Sequence, residues 1–186
     1  MSATVVVTGA GHGLGAQIAR AAHDAGWTVG VLDRDGAAAA RVTGELGGTA
    51  VALTADTTDE DQIDAALDTF AAATGAAAPD GLVANAGIVR FGPLVDVSAQ
   101  DWRAVVDVNL TGTFLSSRAV ARRMIAAGTG GSLVTVTSMN GVAPGPNAGA
   151  YGATKAAVAL LTRQMALEWG PAGIRANAVA PGLIDA

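Results

Sequence analysis

Tyr151 and Lys155 lie four positions apart in the segment GAYGATKAAVALL, with only small residues between them. A helix places positions i and i+4 on one face, so a phenol and an ammonium would face one substrate together. A free phenol has a pKa of about 10, and a neighbouring lysine cation favours the phenolate and lowers that pKa. The pair therefore indicates a proton-transfer site. The alternative is a chance pair, since helices often carry two such residues at this spacing.

The composition is typical of one compact domain with an aliphatic core. Of 186 residues, 51% are hydrophobic, 15% charged and 4% aromatic. A net charge of -5 without a Lys/Arg run argues against nucleic-acid or membrane partners. The absence of cysteine excludes disulfides, thiolate metal sites and cysteine nucleophiles. No basic segment leads into a long apolar run at the N-terminus, and no run is long enough to span a membrane, so a cytoplasmic protein is predicted.

Strands and helices alternate along the whole chain. The β-branched run 4–7 indicates a strand buried on both faces, and a helical pattern follows over 16–25. Further strands are predicted at 27–33, 49–55, 81–87, 132–138 and 174–182. Helices are predicted at 37–46, from 58 or 59 to 74, twice within 98–128, and from Tyr151 to about 169. This order predicts an α/β fold, a doubly wound parallel sheet of the Rossmann-like kind, forming a single domain over residues 1–186.

The first strand is followed by a turn rich in glycine, TGAGHGLG. Glycine permits a sharp turn and lets the backbone approach a pyrophosphate, which then lies at the positive N-terminus of the next helix. The turn therefore predicts dinucleotide binding by Gly9, Gly11, His12, Gly13, Leu14 and Gly15. The alternative is a tight connection that needs glycine only for a positive φ.

Acidic residues follow the second and third predicted strands. Asp33 is placed to accept hydrogen bonds from the adenosine ribose, and its carboxylate would repel a 2′-phosphate. NAD(H) is therefore predicted over NADP(H), although Arg34 leaves NADP(H) open as the lesser alternative. Asp56, with Thr57 beside it, is placed either to reach the adenine edge or to cap the following helix.

Two further segments carry candidate site residues. The residues Asn85, Ala86 and Gly87 stand at the carboxyl end of the fourth strand, where parallel sheets bind ligands. Asn109 interrupts a helical pattern, and asparagine is a poor residue inside a helix, so a local kink is expected there.

With these motifs in order, the chain resembles the short-chain dehydrogenase/reductase family in its classical branch, over essentially all of its residues. The resemblance rests on TGAGHGLG, NAG at Asn85, Asn109 in VNLTG, Ser138 thirteen residues before YGATK, and NAVAPG at Asn177. It implies a catalytic tetrad of Asn109, Ser138, Tyr151 and Lys155. In that tetrad Tyr151 would be the general acid/base and Ser138 would bind the substrate oxygen. Lys155 would lower the Tyr151 pKa and hold the nicotinamide ribose, and Asn109 would hold a water in a proton relay.

The resemblance also implies the reaction, a reversible hydride transfer between NAD(H) and a small-molecule alcohol or carbonyl compound. No metal is implied, and His12 and His23 are isolated. Cofactor contacts are further expected from Tyr151, Lys155, Pro181, Gly182 and Ile184. Family members commonly form dimers and tetramers, so a homodimer or homotetramer is expected, with the runs 111–127 and 153–167 as candidate contact helices.

The sequence departs from the family pattern near its end. Family members usually continue past the PG motif through a substrate lid and a seventh strand, and they often place threonine where Ala186 stands. The chain is therefore expected to be incomplete at its C-terminus, without the lid and the last strand. An alternative function follows from this expectation, namely a catalytically impaired NAD-binding or interaction protein.

Overall fold

The computed structural model describes residues 2–184 and contains one parallel sheet covered by helices on both faces. The strands are β1 (Thr4–Thr8), β2 (Thr28–Asp33), β3 (Val51–Thr54), β4 (Gly81–Ala84), β5 (Gly131–Val136) and β6 (Ile174–Val179). The helices are α1 (Gly13–Asp24), α2 (Gly36–Leu46), α3 (Glu60–Thr74), α4 (Ala99–Val106), α5 (Gly112–Ala127) and α6 (Gly149–Trp169). Within residues 2–184, every helix falls short of the length and apolar character that a membrane crossing needs.

The strand order in the sheet is β3-β2-β1-β4-β5-β6, and every neighbouring pair is parallel. The Rossmann-like α/β prediction is therefore confirmed. The order reverses between β1 and β4, where Val6 lies between Gly30 of β2 and Leu82 of β4. A crevice forms outside the carboxyl ends of the strands at such a reversal, and that is where these sheets bind ligands.

Two apolar cores lie on the two faces of the sheet. On one face Phe70, Ile63 and Met124 pack against strand residues that include Leu53. On the other face α1 and α2 pack against β1 and β2, and the buried residues there include Ala19 of α1 and Val42 of α2. All five residues of β1 are buried, which explains why the sequence shows a continuous apolar run rather than an alternating one.

Several strands end earlier than the sequence predicted. The fourth strand stops at Ala84 rather than at residue 87. The backbone N–H groups of Asn85 and Ala86 both donate to the Thr8 hydroxyl at 3.1 Å, so they leave the strand ladder. Likewise β5 ends at Val136, and β6 ends at Val179, two residues before a proline that cannot donate to the ladder.

Aspartate side chains start α2 and α3. The Asp35 carboxylate accepts from the N–H groups of Ala37 and Ala38, and the Asp59 carboxylate accepts from Gln62 N–H at 3.1 Å. Asp56 instead accepts from the backbone and hydroxyl of Thr58, two residues on. The interpretation of Asp56 as a helix cap is therefore wrong, because Asp59 occupies the N-cap position.

The predicted irregularity at Asn109 is confirmed. Between α4 and α5 the chain forms one π-helical turn, Asp107–Thr111, with Asn109 fully buried at its centre. Such turns insert one extra residue into a helix and re-aim the side chains around it. The buried amide of Asn109 is therefore directed toward the carboxyl ends of the strands, where Ile88 lies.

Candidate active site

A cleft of about 390 Å³ lies at the carboxyl ends of β1 to β4, at the point where the strand order reverses. Its wall is formed by Gly9, His12, Gly13, Leu14, Gly15, Leu32, Asp33, Arg34, Ala55, Asp56, Thr57, Asn85, Ala86, Gly87, Ile88 and Val108. Most residues predicted to bind a cofactor are therefore brought together in one place.

The glycine turn forms the floor of this cleft and packs closely against the loop after β4. Gly9 and Gly13 have positive φ angles of 62° and 50°, which side chains rarely adopt. A Cβ on Gly15 would lie 2.1 Å from the Gly9 carbonyl oxygen and 2.5 Å from Asn85 Nδ2. Asn85 itself donates from Nδ2 to the carbonyls of Thr8 and Gly9. The turn therefore needs positive φ angles, as the alternative interpretation expected, and its close packing also excludes a side chain at Gly15. Dinucleotide binding by this turn stays a prediction.

The N-terminus of α1 fits an anionic group. Unlike α2 and α3, which carry aspartate caps, α1 has His12 at its N-cap position without a side-chain cap, and its first turn contains no acidic residue. The first N–H groups of a helix have no partner within the helix, and the helix dipole makes this end positive. Because the end lies at the cleft, its donors fit the pyrophosphate of a dinucleotide.

Asp33 supports the turn as well as lining the cleft. Its Oδ2 accepts from the Gly11 N–H at 2.9 Å, and its Oδ1 accepts from the Asp35 N–H at 3.0 Å. Arg41 donates to the Gly11 carbonyl at 2.8 Å from α2. Gly11 is buried and lies behind the turn rather than on the cleft wall. The Asp33 carboxylate therefore has structural partners, and the residue also lines the cleft.

Lys155 is a charged residue near the cleft that is almost fully buried. Its side chain is only 4% exposed, and its Nζ donates to the Val136 carbonyl at 2.7 Å. Burial, which disfavours the charged form, lowers the pKa of Lys155 to about 8. The Nζ lies 5.5 Å from the centre of the Tyr151 ring. Both side chains project from the first turns of α6, so the predicted juxtaposition is confirmed.

Gly87 connects the cleft to this pair. A Cβ on Gly87 would lie 3.3 Å from Lys155 Nζ and 3.3 Å from Asn109 Oδ1. Gly87 is also part of the cleft wall. Gly87 therefore lies both on the cleft wall and next to Lys155.

The Asn109 side chain joins three elements. Its Oδ1 accepts from the Ile88 N–H at 2.8 Å, and its Nδ2 donates to the Ile88 carbonyl at 2.9 Å. The Nδ2 also donates to the Thr154 hydroxyl at 3.2 Å, and that hydroxyl donates to the Tyr151 carbonyl. Asn109 therefore holds the loop after β4 against the start of α6.

Ser138 lies just past the end of β5 and caps a short 3₁₀ turn, Met139–Gly141. Its hydroxyl accepts from the Asn140 N–H at 3.2 Å. The Met139 N–H donates to the Pro181 carbonyl, which ties this turn to the segment after β6. Pro181, Gly182 and Ile184 lie in that segment and not on the cleft wall. Ala186, at the position where the family pattern often has threonine, lies outside the described residues.

Residues 3–186 match the family model for short chain dehydrogenases. The chain belongs to the short-chain dehydrogenase/reductase family. The family resemblance that the sequence motifs indicated is thereby confirmed, and with it membership of a group of oxidoreductases.

Individual relatives agree with this membership. The chain is 42% identical over 183 residues to cis-4-hydroxycyclohexanecarboxylate dehydrogenase of Sinomonas cyclohexanicum, covering 97% of this chain and 72% of that protein. It is 44% identical over 168 residues to inactive 2-(S)-hydroxypropyl-CoM dehydrogenase 2 of Xanthobacter autotrophicus, covering 90% and 71%. The crystal structure of 3-ketoacyl-(acyl-carrier-protein) reductase from Brucella melitensis complexed with NADH superposes with a TM-score of 0.90. It is 34% identical, with coverage of 97% of this chain and 75% of that one.

Some residues of the site were missed by sequence reasoning. Leu32, Ala55, Ile88 and Val108 line the cleft but are apolar, so nothing in their type distinguishes them from the core. Thr154 was also missed, although it stands three positions after Tyr151, the spacing at which a threonine hydroxyl can reach back to a helix carbonyl. That spacing was the available signal for Thr154.

Proposed function

We propose that the protein is an oxidoreductase that transfers a hydride between NAD(H) and a secondary alcohol or the corresponding ketone, with Tyr151 as general acid/base. The observation that carries the proposal is the buried Lys155 ammonium, 5.5 Å from the Tyr151 ring and next to Gly87 of the cleft wall. Burying a charged group this deeply costs free energy, and charged groups in such settings are enriched at functional sites.

The residues have complementary tasks in this proposal. When a substrate is reduced, Tyr151 gives its proton to the carbonyl oxygen, and when an alcohol is oxidised it accepts the hydroxyl proton. The positive charge of Lys155 stabilises the phenolate form of Tyr151 during that exchange. Ser138 donates a hydrogen bond to the same substrate oxygen and so stabilises the charge that develops there. Asn109 orients the loop of Ile88 and the start of α6, because its amide is bonded to both.

The cofactor would lie along the cleft. The uncapped N-terminus of α1 and the open glycine turn would hold its pyrophosphate, and Asp33 would accept from a ribose hydroxyl. A bound nicotinamide supplies or accepts the hydride. We propose a preference for NAD(H) because the Asp33 carboxylate, at the cleft wall, opposes the negative charge of a 2′-phosphate. The NADH complex of the Brucella melitensis relative is consistent with this choice.

A substrate panel tests the proposal directly. The protein is incubated with NAD⁺ or NADP⁺ and, separately, a cyclic secondary alcohol, a polyol, a hydroxysteroid and a hydroxyacyl thioester, and the absorbance of reduced nicotinamide is followed. Turnover of at least one alcohol with NAD⁺, faster than with NADP⁺, is expected. Tight NADH binding without any turnover would contradict the proposed oxidoreductase and favour the NAD-binding or interaction protein.

We further propose that the protein is a homodimer or homotetramer in solution. Apolar side chains of α5 and α6 are exposed, with Ile125 48%, Leu160 65% and Leu167 73% exposed. Burying such side chains against a second copy would stabilise an oligomer. Light scattering at micromolar concentration tests this, and a monomeric mass would contradict it.

A further inference from the structure

Two glycines bring the turn after Ser138 into direct backbone contact with α6. A Cβ on Gly152, in the first turns of α6, would lie 2.8 Å from the Asn140 carbonyl oxygen. Real Cβ atoms are not found so close to a backbone oxygen, and a main-chain carbonyl cannot move aside as the end of a flexible side chain can. Any side chain at Gly152 would therefore push the turn away from the helix.

The contact is made from both sides. A Cβ on Gly141, in the 3₁₀ turn, would lie 2.7 Å from the Lys155 carbonyl carbon and 2.8 Å from the Ala156 nitrogen. Gly141 thus contacts the peptide bond between Lys155 and Ala156, and Gly152 contacts the carbonyl of Asn140. Neither glycine has a positive φ, so the close approach, and not the backbone conformation, accounts for glycine at both positions.

The same turn carries Ser138. The Ser138 hydroxyl accepts from the Asn140 N–H, and the Ser138 carbonyl accepts from the Gly141 N–H at 2.9 Å. Ser138 is therefore hydrogen-bonded to both residues that contact α6. Tyr151 and Lys155, on α6, flank Gly152 in sequence.

We infer that Gly141 and Gly152 are positioning residues of the reaction, whose backbone contact sets the separation between the Ser138 hydroxyl on the turn and the Tyr151–Lys155 pair on α6. The inference rests on the proposed function, because it concerns the relative placement of Ser138 and Tyr151, which act on one substrate oxygen, and of Lys155, which acts on Tyr151. Catalytic groups must be held close to their productive geometry, and added methyl groups at this contact would disturb it.

The test compares Gly152→Ala and Gly141→Ala with the parent protein, using the best alcohol from the panel and NAD⁺. A displacement of about 1 Å is known to cost about 100-fold, so each variant is expected to lower kcat roughly 10- to 100-fold. The Kd for NADH, measured by fluorescence titration, should stay within about twofold, because neither glycine lines the cofactor cleft. The deuterium isotope effect on kcat/KM should rise, because hydride transfer becomes slower relative to the other steps.

Gly170→Ala is the matched control, since Gly170 ends the same helix, has a helical φ of -53° and has open space where a Cβ would lie. It should retain the parent kcat. NADH binding capacity gives the folded fraction of each variant, so kcat is expressed per mole of bound cofactor. Values of kcat close to the parent in both glycine variants, or losses that match the loss of binding capacity, would overturn the inference. An inactive parent, or a fully active Tyr151→Phe variant, would instead overturn the proposed function.

Discussion

The Lys155 ammonium donates a 2.7 Å hydrogen bond to the Val136 carbonyl, so the last residue of β5 holds the cation of α6. The bond satisfies one of the three N–H donors of an ammonium whose side chain is almost fully buried. A charge in this setting lowers the stability of the fold, because one carbonyl does not replace the water that the ion loses.

This cost predicts a pH-dependent stability. Burial lowers the pKa of Lys155 to about 8 in the folded, cofactor-free protein, against 10.5 ordinarily. Between these values the unfolded chain binds more protons than the folded one, so the free energy of unfolding should rise with pH. From about pH 7 to about pH 10 the rise due to Lys155 should be about 2 to 3 kcal/mol, at about 1.4 kcal/mol per pKa unit.

Lys155→Met is the control for that measurement, because Lys155 is the only lysine in the 186 residues. Urea unfolding of both proteins at the two pH values gives the difference in the free energy of unfolding. Near pH 7 the methionine variant, which lacks the buried charge, should have the larger free energy of unfolding. This difference between the two proteins should shrink as pH rises. Parallel pH profiles of the two proteins would contradict the depressed pKa.

Gly15→Ala should destabilise the protein and abolish NADH binding. A Cβ there would meet the Gly9 carbonyl oxygen at 2.1 Å, so the turn must move. Overpacking of this kind costs about 1–3 kcal/mol or more. Gly44→Ala, within α2 and facing open space, should instead stabilise by up to about 1 kcal/mol through helix propensity. Thermal unfolding distinguishes the two, and equal shifts in the same direction would contradict the close approach at Gly15.

Asp33→Asn should weaken the preference for NADH over NADPH. The amide oxygen can still accept from the Gly11 N–H, while the negative charge is removed. The ratio of the Kd values for NADPH and NADH is expected to fall about tenfold, equivalent to about 1.4 kcal/mol. Fluorescence titration with each cofactor measures the ratio. An unchanged ratio would show that the Asp33 charge does not set cofactor choice.

Asn109→Ala should lower the free energy of unfolding by about 2–4 kcal/mol, because it removes a fully buried amide and leaves the partly buried N–H and carbonyl of Ile88 without their partner. Asn177→Ala, at an exposed position of β6, is the matched control and should change stability by less than about 0.5 kcal/mol. Chemical denaturation measures both. If the two variants lost equal stability, the anchoring role of Asn109 would be wrong.

The fold and the cleft could be predicted because their signals are local. The fully buried β1 appears in the sequence as an unbroken apolar run, and the turn that follows it appears as four glycines in TGAGHGLG. Asn109 was identified as irregular because asparagine disfavours helix interiors, and a π turn is found there. In each case the residue type and its immediate neighbours determine the structure.

Other features depend on contacts between distant segments. The early end of β4 follows from the Thr8 hydroxyl, 77 positions away from Asn85, which captures N–H groups that sequence alone assigns to the strand. The support of Gly11 by Arg41 and the contacts of Gly141 and Gly152 between the turn after Ser138 and α6 likewise join separate elements. Periodicity carries no information on such pairs.

The most direct test of the proposed function is Tyr151→Phe, which removes the only phenol in the 186 residues and keeps the ring. NAD⁺-dependent turnover of the best alcohol should fall by about 100- to 10,000-fold, the usual contribution of a general acid/base. The Kd for NADH should stay within about twofold of the parent, since Tyr151 does not line the cleft and its phenol oxygen serves only in proton transfer. A Tyr151→Phe variant that binds NADH and turns over the alcohol at the parent rate would contradict the account.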